Sequence, residues 1–373
     1  MIKNPISSRV WLEIRLGSIR RNFLRIQKTV RPALVMGVLK ADAYGLGAKG
    51  IAKILVEAGV DRMGVAELKE AIPLRQQFKI PVQILSALLE REIPDCVRHG
   101  IICPIADLRT ARLLSQESIR QKKPVTVHLK IDTGMGRLGI PYPEAEKLIP
   151  LILRLPGLIV EGISSHFADA NHPKVPHSRR QLERFKTLLA DLKRKGIVFS
   201  LVHMANSDGI NNYPKAYFNM VRTGINLYGV FDLLGYRTYR LSPTLSLKSS
   251  LIAKRKLPKG STIGYGHTYL LSQDTWVGTV PAGYADGVPL AASNKGSVLI
   301  RGRLCPIIGR ISMDYLTVDL SPCPRVKIGD EVILIGRSRH KEITIEDWAR
   351  LKKTHPYDII CSLGQRVERV YLP

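Results

Sequence analysis

A lysine ends one of the most apolar stretches of the chain, in the segment ALVMGVLKADAYGLG (residues 33–47). The stretch rises through Val38 and Leu39 to Lys40, and Tyr44 follows four residues later. An ammonium moved out of water without a partner is costly, so this lysine either sits at a polar rim or uses its amine for chemistry. Lysine amines form imines with carbonyl compounds. Lys40 is therefore the first candidate for a catalytic group.

The residues around Lys40 show the pattern of alternating strands and helices. Between residues 33 and 230, short apolar runs alternate with helix-period segments such as SRRQLERFKTLLADLKRKG. The predicted strands cover residues 33–40, 62–66, 81–86, 101–106, 125–132, 158–168, 200–206 and 220–229. Eight strand–helix units in this length indicate a (β/α)8 barrel. A doubly wound sheet is the alternative.

The texture changes after about residue 240, where short alternating runs replace the helical periods. This pattern predicts an all-β domain, interrupted by one helix in TIEDWARL with Thr344 as its N-cap. We therefore predict an α/β fold in which residues 1–238 form a TIM-type (β/α)8 barrel and residues 239–373 form the β domain. The strand-like WLEIRL near the N-terminus could pair with either domain.

Polar residues gather at the predicted carboxyl ends of the barrel strands, where chemistry lies in this architecture. They include Lys40, Lys130, Arg137, His166, Asn206, Ser207, Arg222 and Gly224. The loops after strands seven and eight often bind phosphate. Here they offer the Ser207 hydroxyl and the backbone of Gly224 and Ile225. A phosphate site opposite a lysine points to pyridoxal phosphate as the cofactor.

Seven motifs in order give the chain a family resemblance. They are VLKADAYGLG, DTGMGRLG, HMANSDG, RTGINLYG, IGYGHTY, PAGYADG and GRISMDY. With these motifs the chain resembles the alanine racemases from about Trp11 to Tyr371. The resemblance implies a pyridoxal-phosphate enzyme, an isomerase, with a barrel, a β domain and a homodimer that shares its active sites. It departs from the family pattern at Thr223, Ser312 and Glu368.

The resemblance also assigns roles. Lys40 would hold the cofactor as a Schiff base and act as one of two bases, while Tyr265 from the partner subunit would be the other. Arg137 and the Met313 backbone would bind the substrate carboxylate. The residues implied to hold the cofactor are Tyr44, His166, Ser207, Arg222, Gly224, Ile225 and Tyr357. Those implied to line or support the entry are Lys130, Asp169, Asn206, Tyr284 and Asp314.

Some of these roles carry a physical expectation. Arg222 would face the pyridine nitrogen and, as a cation, keep it unprotonated. His166 would hydrogen-bond Tyr265. Lys130 matches a position that is carbamylated in some members. A lysine pKa near 10.4 is too high for a base at neutral pH, so the cations around Lys40 should lower its pKa.

The resemblance implies that the enzyme interconverts L- and D-alanine by a two-base mechanism and supplies D-alanine for peptidoglycan. Alternatives remain: a racemase that also takes serine, an amino-acid decarboxylase of the same fold, or a cofactor-binding regulatory protein. Serine differs from alanine by one hydroxyl, which a small pocket rejects poorly. Biosynthetic and catabolic roles are both open.

Composition narrows the remaining classes. The chain has 373 residues and a net charge of +26, spread along its length without a basic tail. We therefore do not expect nucleic-acid binding as the main function. The sequence has no apolar run long enough for a membrane span, and its five cysteines are scattered without metal spacing. We predict a cytoplasmic protein without a metal site.

Overall fold

The computed structural model describes residues 8–373 and contains two large sheets and two smaller ones. The strands are β1 Val10–Arg15, β2 Leu34–Val38, β3 Arg62–Val65, β4 Val82–Ile84, β5 Cys103–Ile105, β6 Val125–Asp132, β7 Ile140–Pro141, β8 Leu158–Ser164, β9 Leu201–His203, β10 Met220–Thr223, β11 Leu245–Ser250, β12 Ala253–Leu257, β13 Thr262–Ile263, β14 Tyr269–Leu270, β15 Thr275–Val280, β16 Ser297–Ile300, β17 Arg303–Pro306, β18 Leu316–Asp319, β19 Glu331–Ser338, β20 Lys341–Ile343 and β21 Glu368–Leu372.

The helical segments lie mostly between the strands of the first half. They are α1 Leu16–Val30, α2 Lys40–Gly45, α3 Ala48–Glu57, α4 Leu68–Gln77, α5 Ile93–His99, α6 Leu108–Arg120, α7 Tyr142–Leu153, α8 Pro176–Arg194, α9 Ser207–Asn212, α10 Ile345–Lys352 and α11 Pro356–Cys361. In α8 the predicted apolar stripe faces inward, because Leu182, Phe185 and Leu188 are buried. Amphipathic helices of this kind cover the outside of a barrel.

Eight parallel strands form the barrel, in the order β4-β3-β2-β10-β9-β8-β6-β5. A parallel bridge between Gln83 and Ile102 closes the ring. Two backbone hydrogen bonds of 3.0 Å, from Ile84 to Ile102 and from Ile102 to Val82, support this bridge. The predicted (β/α)8 barrel is confirmed, and the closed order is not that of an open doubly wound sheet.

The last barrel strand is shorter than predicted. It ends at Thr223 instead of continuing to residue 229, because Gly224 turns the chain (φ −129°, ψ −90°) into a short 3-10 segment, Ile225–Tyr228. The turn withdraws the Gly224 N–H from the sheet and places it at the barrel mouth. This is the geometry that a strand-end binding loop needs.

The second domain is built on a sheet with the path β17-β16-β19-β11-β1-β21, with β20 paired to β19. The N-terminal strand β1 belongs to this sheet, antiparallel to β11 and parallel to β21. Smaller sheets, β12-β15-β18 and β13-β14, complete the domain. Within residues 8–15 the chain therefore lies outside the barrel, while the division near residue 238 stays a prediction.

The second domain is mostly β rather than all-β. The predicted helix is α10, and Thr344 caps it as expected: its hydroxyl accepts from the Asp347 N–H at 3.1 Å. In return the Asp347 carboxylate accepts from the Thr344 N–H at 2.8 Å. A second helix, α11, was not predicted, because six residues are too few to show a helical period.

Among the residues that the structure describes, none of the helices is both long and apolar enough to cross a membrane. All five cysteines are free thiols, and Cys361 is the exposed one.

Candidate active site

A cavity of about 600 Å³ opens at the carboxyl ends of the barrel strands. One wall comes from the second domain, through His355 and Tyr357 near the start of α11. The lining brings together ten of the predicted site residues: Lys40, Tyr44, Lys130, Arg137, His166, Asn206, Ser207, Arg222, Gly224 and Tyr357. The cavity is therefore the place where the sequence motifs meet.

Lys40 enters this cavity from a left-handed turn. The four residues Ala41–Tyr44 all have positive φ values between 51° and 64°. Left-handed backbone costs L-residues about 1–2 kcal/mol each, so the surrounding structure must impose it. The Glu70 carboxylate does so at the start of the turn, because it accepts from the Ala41 N–H at 2.5 Å and from the Ala66 N–H at 2.8 Å.

The second domain holds the end of the same turn. Arg369 of β21 donates to the Gly45 carbonyl at 3.1 Å, and the Tyr371 hydroxyl donates to the Leu46 carbonyl at 2.8 Å. Arg369 also donates to the Gly364 carbonyl at 2.6 Å, in the chain that follows α11. These contacts fix the lysine and the α11 wall of the cavity relative to each other.

The predicted phosphate site has a cradle shape. The Gly224 N–H donates to the Ser207 hydroxyl at 3.0 Å, and the Asn206 side chain caps α9 by accepting from the Gly209 N–H at 2.8 Å. A Cβ on Gly224 would lie 2.1 Å from the Tyr44 hydroxyl, so only glycine fits beside this tyrosine. Backbone N–H groups and hydroxyls gathered in this way suit a phosphate.

Aromatic packing fixes the two tyrosines of the cradle. The Tyr44 ring lies 5.5 Å from the Tyr228 ring in an edge-on arrangement and 6.0 Å from the Tyr357 ring. Burial raises the pKa of the Tyr44 and Tyr357 phenols. Both phenols therefore stay protonated near neutral pH and can donate to an anion. Ile225, which was also predicted to hold the cofactor, is fully buried next to Gly224 in sequence and does not line the cavity.

Arg222 lies buried at the floor of the cavity. Its guanidinium donates to the Ser165 carbonyl at 2.9 Å and to the Met204 carbonyl at 3.0 Å. It also lies 3.0 Å from the His166 Nδ1 and 2.6 Å from the His203 Nδ1. Residues at the ends of neighbouring strands thus anchor the Nη1 and Nη2 groups of the rigid guanidinium fork.

The loop after β6 presents Arg137. The Asp132 carboxylate accepts from the N–H groups of Gly134 and Met135 at 2.8 Å and of Gly136 at 2.9 Å. This arrangement wraps the loop around one carboxylate and leaves Arg137 exposed at the cavity mouth. The glycines of DTGMGRLG are therefore part of a turn, and this turn positions Arg137 at the cavity mouth.

The cavity carries an excess of positive charge. Within residues 8–373, Lys40, Lys130, Arg137 and Arg222 form no ion pair shorter than 4.0 Å with a carboxylate. Lys130 donates instead to the Leu85 carbonyl at 2.5 Å. Four cations without carboxylate partners favour anionic ligands, and a phosphate together with a carboxylate would suit them.

Burial, together with the neighbouring positive charges, lowers the pKa values of these groups. Protein packed around the Lys40 ammonium, and then the charge of Arg137, lower its pKa. Burial, and then Arg222, lower the pKa of Lys130 to about 8. Burial lowers the pKa of Arg222 to about 10 and holds the pKa of His166 well below its usual value. A lowered pKa increases the fraction of an amine that is unprotonated at neutral pH and can act as a nucleophile or a base.

These groups fit pyridoxal phosphate. The cradle of Tyr44, Ser207 and Gly224 matches a phosphate, a lysine with a lowered pKa matches the aldehyde, and the anchored guanidinium of Arg222 is a donor that would suit the ring nitrogen. The donors and the shape of the cavity therefore match the phosphate, the aldehyde and the ring nitrogen of this cofactor.

Other predicted site residues lie outside the cavity of this chain. Tyr265, Tyr284 and Met313 are 72%, 48% and 53% exposed on the second domain. They lie on adjoining loops, since Gly264 pairs with Arg310 and the Tyr284 N–H donates to the Ser312 carbonyl at 3.1 Å. We call these three residues the Tyr265 face. His166, expected beside Tyr265, lies against Arg222 in the single chain.

The remaining two predicted residues have local partners. Asp314, next to Met313, is bound by Arg366 at 2.7 Å. Asp169 lies between the lining residues Ala168 and Ala170 and hydrogen-bonds His172. Asp169 therefore lies beside the cavity, and Asp314 lies beside the Tyr265 face.

Comparison with known proteins identifies the family. Residues 14–232 match the family model of the alanine racemase N-terminal domain, and residues 244–371 match that of its C-terminal domain. The chain belongs to the alanine racemase family. The alanine racemase of Carboxydothermus hydrogenoformans is 40% identical over 367 residues, which cover 97% of this chain and 99% of that protein.

Solved structures agree. The alanine racemase of Clostridium difficile 630 superposes with a TM-score of 0.93 at 33% identity, over 99% of this chain and 97% of that one. The enzyme of Bartonella henselae, solved with covalently bound pyridoxal phosphate, has a TM-score of 0.88 at 30% identity, over 98% and 100% of the two chains. The predicted family, and pyridoxal phosphate as its cofactor, are confirmed.

The structure also reveals groups around the cavity that the sequence analysis missed. Asp208 and Asp232 line the cavity beside the cradle, and Glu70 and Arg369 hold the left-handed turn. The missed signal for Asp208 is its place directly after Ser207, at the start of α9. Nothing local marks Glu70 or Arg369, which act through contacts distant in sequence.

Replacing Gly224 by alanine should weaken cofactor binding. The new methyl would collide with the Tyr44 hydroxyl and displace it from the cradle, so we expect about a tenfold loss of pyridoxal phosphate affinity, or about 1.4 kcal/mol. Titration of the protein with the cofactor measures it. Gly17→Ala is the matched control, because a Cβ there meets its nearest atom at an ordinary 3.4 Å. Equal affinities for the two variants would contradict the cradle.

Asp208 should make phosphate binding depend on pH. Burial, and then the charge of Asp232, raise the pKa of Asp208 to about 7. Below that pH the carboxyl is neutral, and above it an anion faces the phosphate. Asp208→Asn should therefore bind pyridoxine 5′-phosphate about tenfold more tightly than wild type at pH 8.5, since charge repulsion near 1.4 kcal/mol is removed. At pH 6 the affinities should agree.

Calorimetric titration of both proteins tests this prediction. Pyridoxine 5′-phosphate has no aldehyde, so its binding does not involve the Lys40 amine. A constant ratio of affinities between pH 6 and 8.5 would contradict the assignment of the pH dependence to Asp208.

Proposed function

We propose that this protein interconverts L-alanine and D-alanine with pyridoxal phosphate, using Lys40 and the Tyr265 of a second copy as two bases. The observation that carries the proposal is the placement of Lys40 across one cavity from the cradle of Ser207, Gly224 and Tyr44. When bound, the cofactor supplies the electron sink that acidifies the substrate α-carbon.

The residues of this chain divide the remaining work. Arg137, held out by the Asp132 turn, binds and orients the substrate carboxylate, with the Met313 backbone N–H of the second copy. Arg222 would hold the ring nitrogen and, because it stays protonated, would disfavour a second cation there. This would weaken the electron sink and favour return of a proton to the substrate α-carbon over side reactions.

Lys40 is the base on one face of the substrate. The lowered pKa of its amine increases the fraction that can accept the α-proton at neutral pH. The Tyr265 phenol works on the opposite face, and racemisation results because one group removes a proton while the other returns one. His166 would contact Tyr265 and orient it. A carbamate on Lys130, whose pKa is about 8, would place an anion beside Arg137.

The Tyr265 face supports a homodimer with shared active sites. Tyr265, Tyr284 and Met313 expose aromatic and apolar surface side by side, and exposed patches of this kind mark interaction sites. A single chain places its Lys40 in the cavity and its Tyr265 outside it. A symmetric pair can supply each cavity with the other copy's tyrosine.

The substrate pocket should be small. Tyr357 lines the cavity, and Met313 of the second copy would close it, which favours alanine over larger amino acids. We propose that the D-alanine serves peptidoglycan synthesis in the cytoplasm.

Incubation of the purified protein with L-alanine in heavy water tests the proposal. With pyridoxal phosphate added, α-proton exchange and D-alanine should appear together, and both should be lost when the cofactor is removed. Serine, tested in parallel, should react more slowly. Absence of exchange with the cofactor bound would contradict the proposed reaction.

A further inference from the structure

A chain of hydrogen bonds runs from Arg222 through the interior of the barrel. The Arg222 Nη1 lies 2.6 Å from the His203 Nδ1, and the His203 Nε2 lies 3.0 Å from the His128 Nδ1. The His128 Nε2 lies 2.9 Å from the Glu161 Oε2. Arg62 grips Glu161 through both oxygens, at 2.8 and 3.0 Å. The chain links β10, β9, β6, β8 and β3.

The two ends of the chain fix its direction. Arg222 can only donate, so the His203 Nδ1 must accept. A neutral His203 then carries its proton on Nε2 and donates to the Nδ1 of His128. His128 in turn carries its proton on Nε2 and donates to Glu161, which can only accept when ionised. Every hydrogen bond therefore points toward the Glu161 carboxylate.

The protonation states agree with this direction. Burial lowers the pKa of His128 and holds the pKa of His203 well below its usual value, so both rings are neutral. The hydrogen bond from His128, assisted by Arg62, lowers the pKa of Glu161 to about 2. The carboxylate is therefore ionised at neutral pH and can only accept hydrogen bonds.

Two features of the backbone build this arrangement. Val127 pairs with Val160 and His128 pairs with Gly162, so Glu161 is the extra residue of a β-bulge in β8. Bulges re-aim a side chain, often near active sites. A Cβ on Gly162 would lie only 2.5 Å from the His128 ring, so this position must be glycine for the ring to fit.

We propose that Glu161 is a positioning residue for the cofactor site, acting through His128 and His203 to hold Arg222 in the orientation that faces the cofactor ring. Its carboxylate keeps both histidines as Nε2–H tautomers, so His203 always presents an acceptor to the guanidinium. With either ring reversed, an N–H would face Arg222 and push it away. This inference rests on the proposed function for its consequence, but the hydrogen-bond chain can be tested separately.

The first test measures the tautomers directly. Nitrogen-15 NMR of the full-length protein, labelled on its nine histidines and loaded with pyridoxal phosphate, separates protonated from unprotonated ring nitrogens. His128→Gln and His203→Gln variants assign the signals. We expect both rings to be neutral and protonated on Nε2. A Nδ1–H tautomer or an imidazolium at either ring would overturn the proposal, whatever the catalytic activity.

The second test replaces Glu161 by a side chain of the same shape that no longer fixes which atoms donate and which accept. In Glu161→Gln the amide can donate as well as accept, so both tautomers become possible and a Nδ1–H fraction should appear at His203. With Arg222 less well held, kcat should fall about tenfold, the usual scale for such supporting residues. The KM for alanine should stay within about twofold, because Arg222 does not bind the carboxylate.

Arg62→Met is the matched control. It breaks the contact on the far side of Glu161 but leaves a carboxylate to accept from His128, so it should lower thermal stability without changing the tautomers or kcat. An unchanged His203 tautomer in Glu161→Gln, or an equal loss of kcat in both variants, would reduce the chain to a structural role. A wild-type protein with the expected tautomers but no racemase activity would sink the proposed function alone.

Discussion

Lys40→Ala should lose racemase activity by at least about a thousandfold, or about 4 kcal/mol of transition-state stabilisation. The variant lacks both the amine that would hold the cofactor covalently and one of the two bases. The reason lies in the cavity, where Lys40 is the amine presented by the left-handed turn, and where burial and then the charge of Arg137 lower its pKa. The absorption band of the lysine-bound cofactor should disappear as well.

Lys49→Ala is the matched control for this loss. Lys49 lies nine residues further on, exposed on α3, and should keep full activity and the same cofactor spectrum. Retained exchange of the α-proton in Lys40→Ala, with normal cofactor binding, would contradict the role of the lysine.

Tyr265→Phe should show the second large effect, and the effect should be unequal in the two directions. Loss of a positioned acid–base group typically costs about 10²–10⁴ in rate. Because Tyr265 would face the side of the α-carbon that carries the proton of L-alanine, removal of that proton should suffer most. Proton removal from D-alanine, assigned to Lys40, should be affected less.

Exchange in heavy water, started separately from each enantiomer, measures the asymmetry. Tyr315→Phe is the control, since Tyr315 is also exposed, at 41%, in the loop that follows Met313. Equal losses from both enantiomers would contradict the assignment of faces, and an unchanged rate would remove Tyr265 from the reaction.

The sequence predicted the elements that depend on local periodicity. The strand predicted at residues 125–132 is found as β6 with the same bounds, and the apolar stripe of α8 packs inward as expected. The strand-end rule then placed Lys40, Ser207 and Arg222 at one rim, which the cavity confirms. The order of the seven motifs predicted the family, and the family in turn predicted the fold.

Features imposed by distant contacts could not be predicted. Ala41, Ala43 and Tyr44 have no local preference for left-handed backbone, and Glu70 and Arg369 stabilise it through contacts distant in sequence. The bulge at Glu161 shifts the register in a way that alternation does not reveal. In both cases tertiary structure overrides local propensity.

The position of Tyr265 cannot be understood from the sequence pattern of a single chain. The family resemblance assigned Tyr265 to the partner's cavity, but nothing in the local sequence pattern of this chain shows which copy a residue completes. The structure of one chain leaves Tyr265 72% exposed, as expected of a residue that acts in a partner's site.

Mixing two inactive variants tests the shared two-base site most directly. Lys40→Ala and Tyr265→Phe chains are unfolded, refolded together with pyridoxal phosphate, and assayed beside each variant refolded alone. In a mixed dimer one site carries both substitutions and the other carries none. Random pairing in a symmetric dimer should therefore restore about a quarter of wild-type activity. If each chain completed its own cavity, no mixture would be active, and that result would contradict the account.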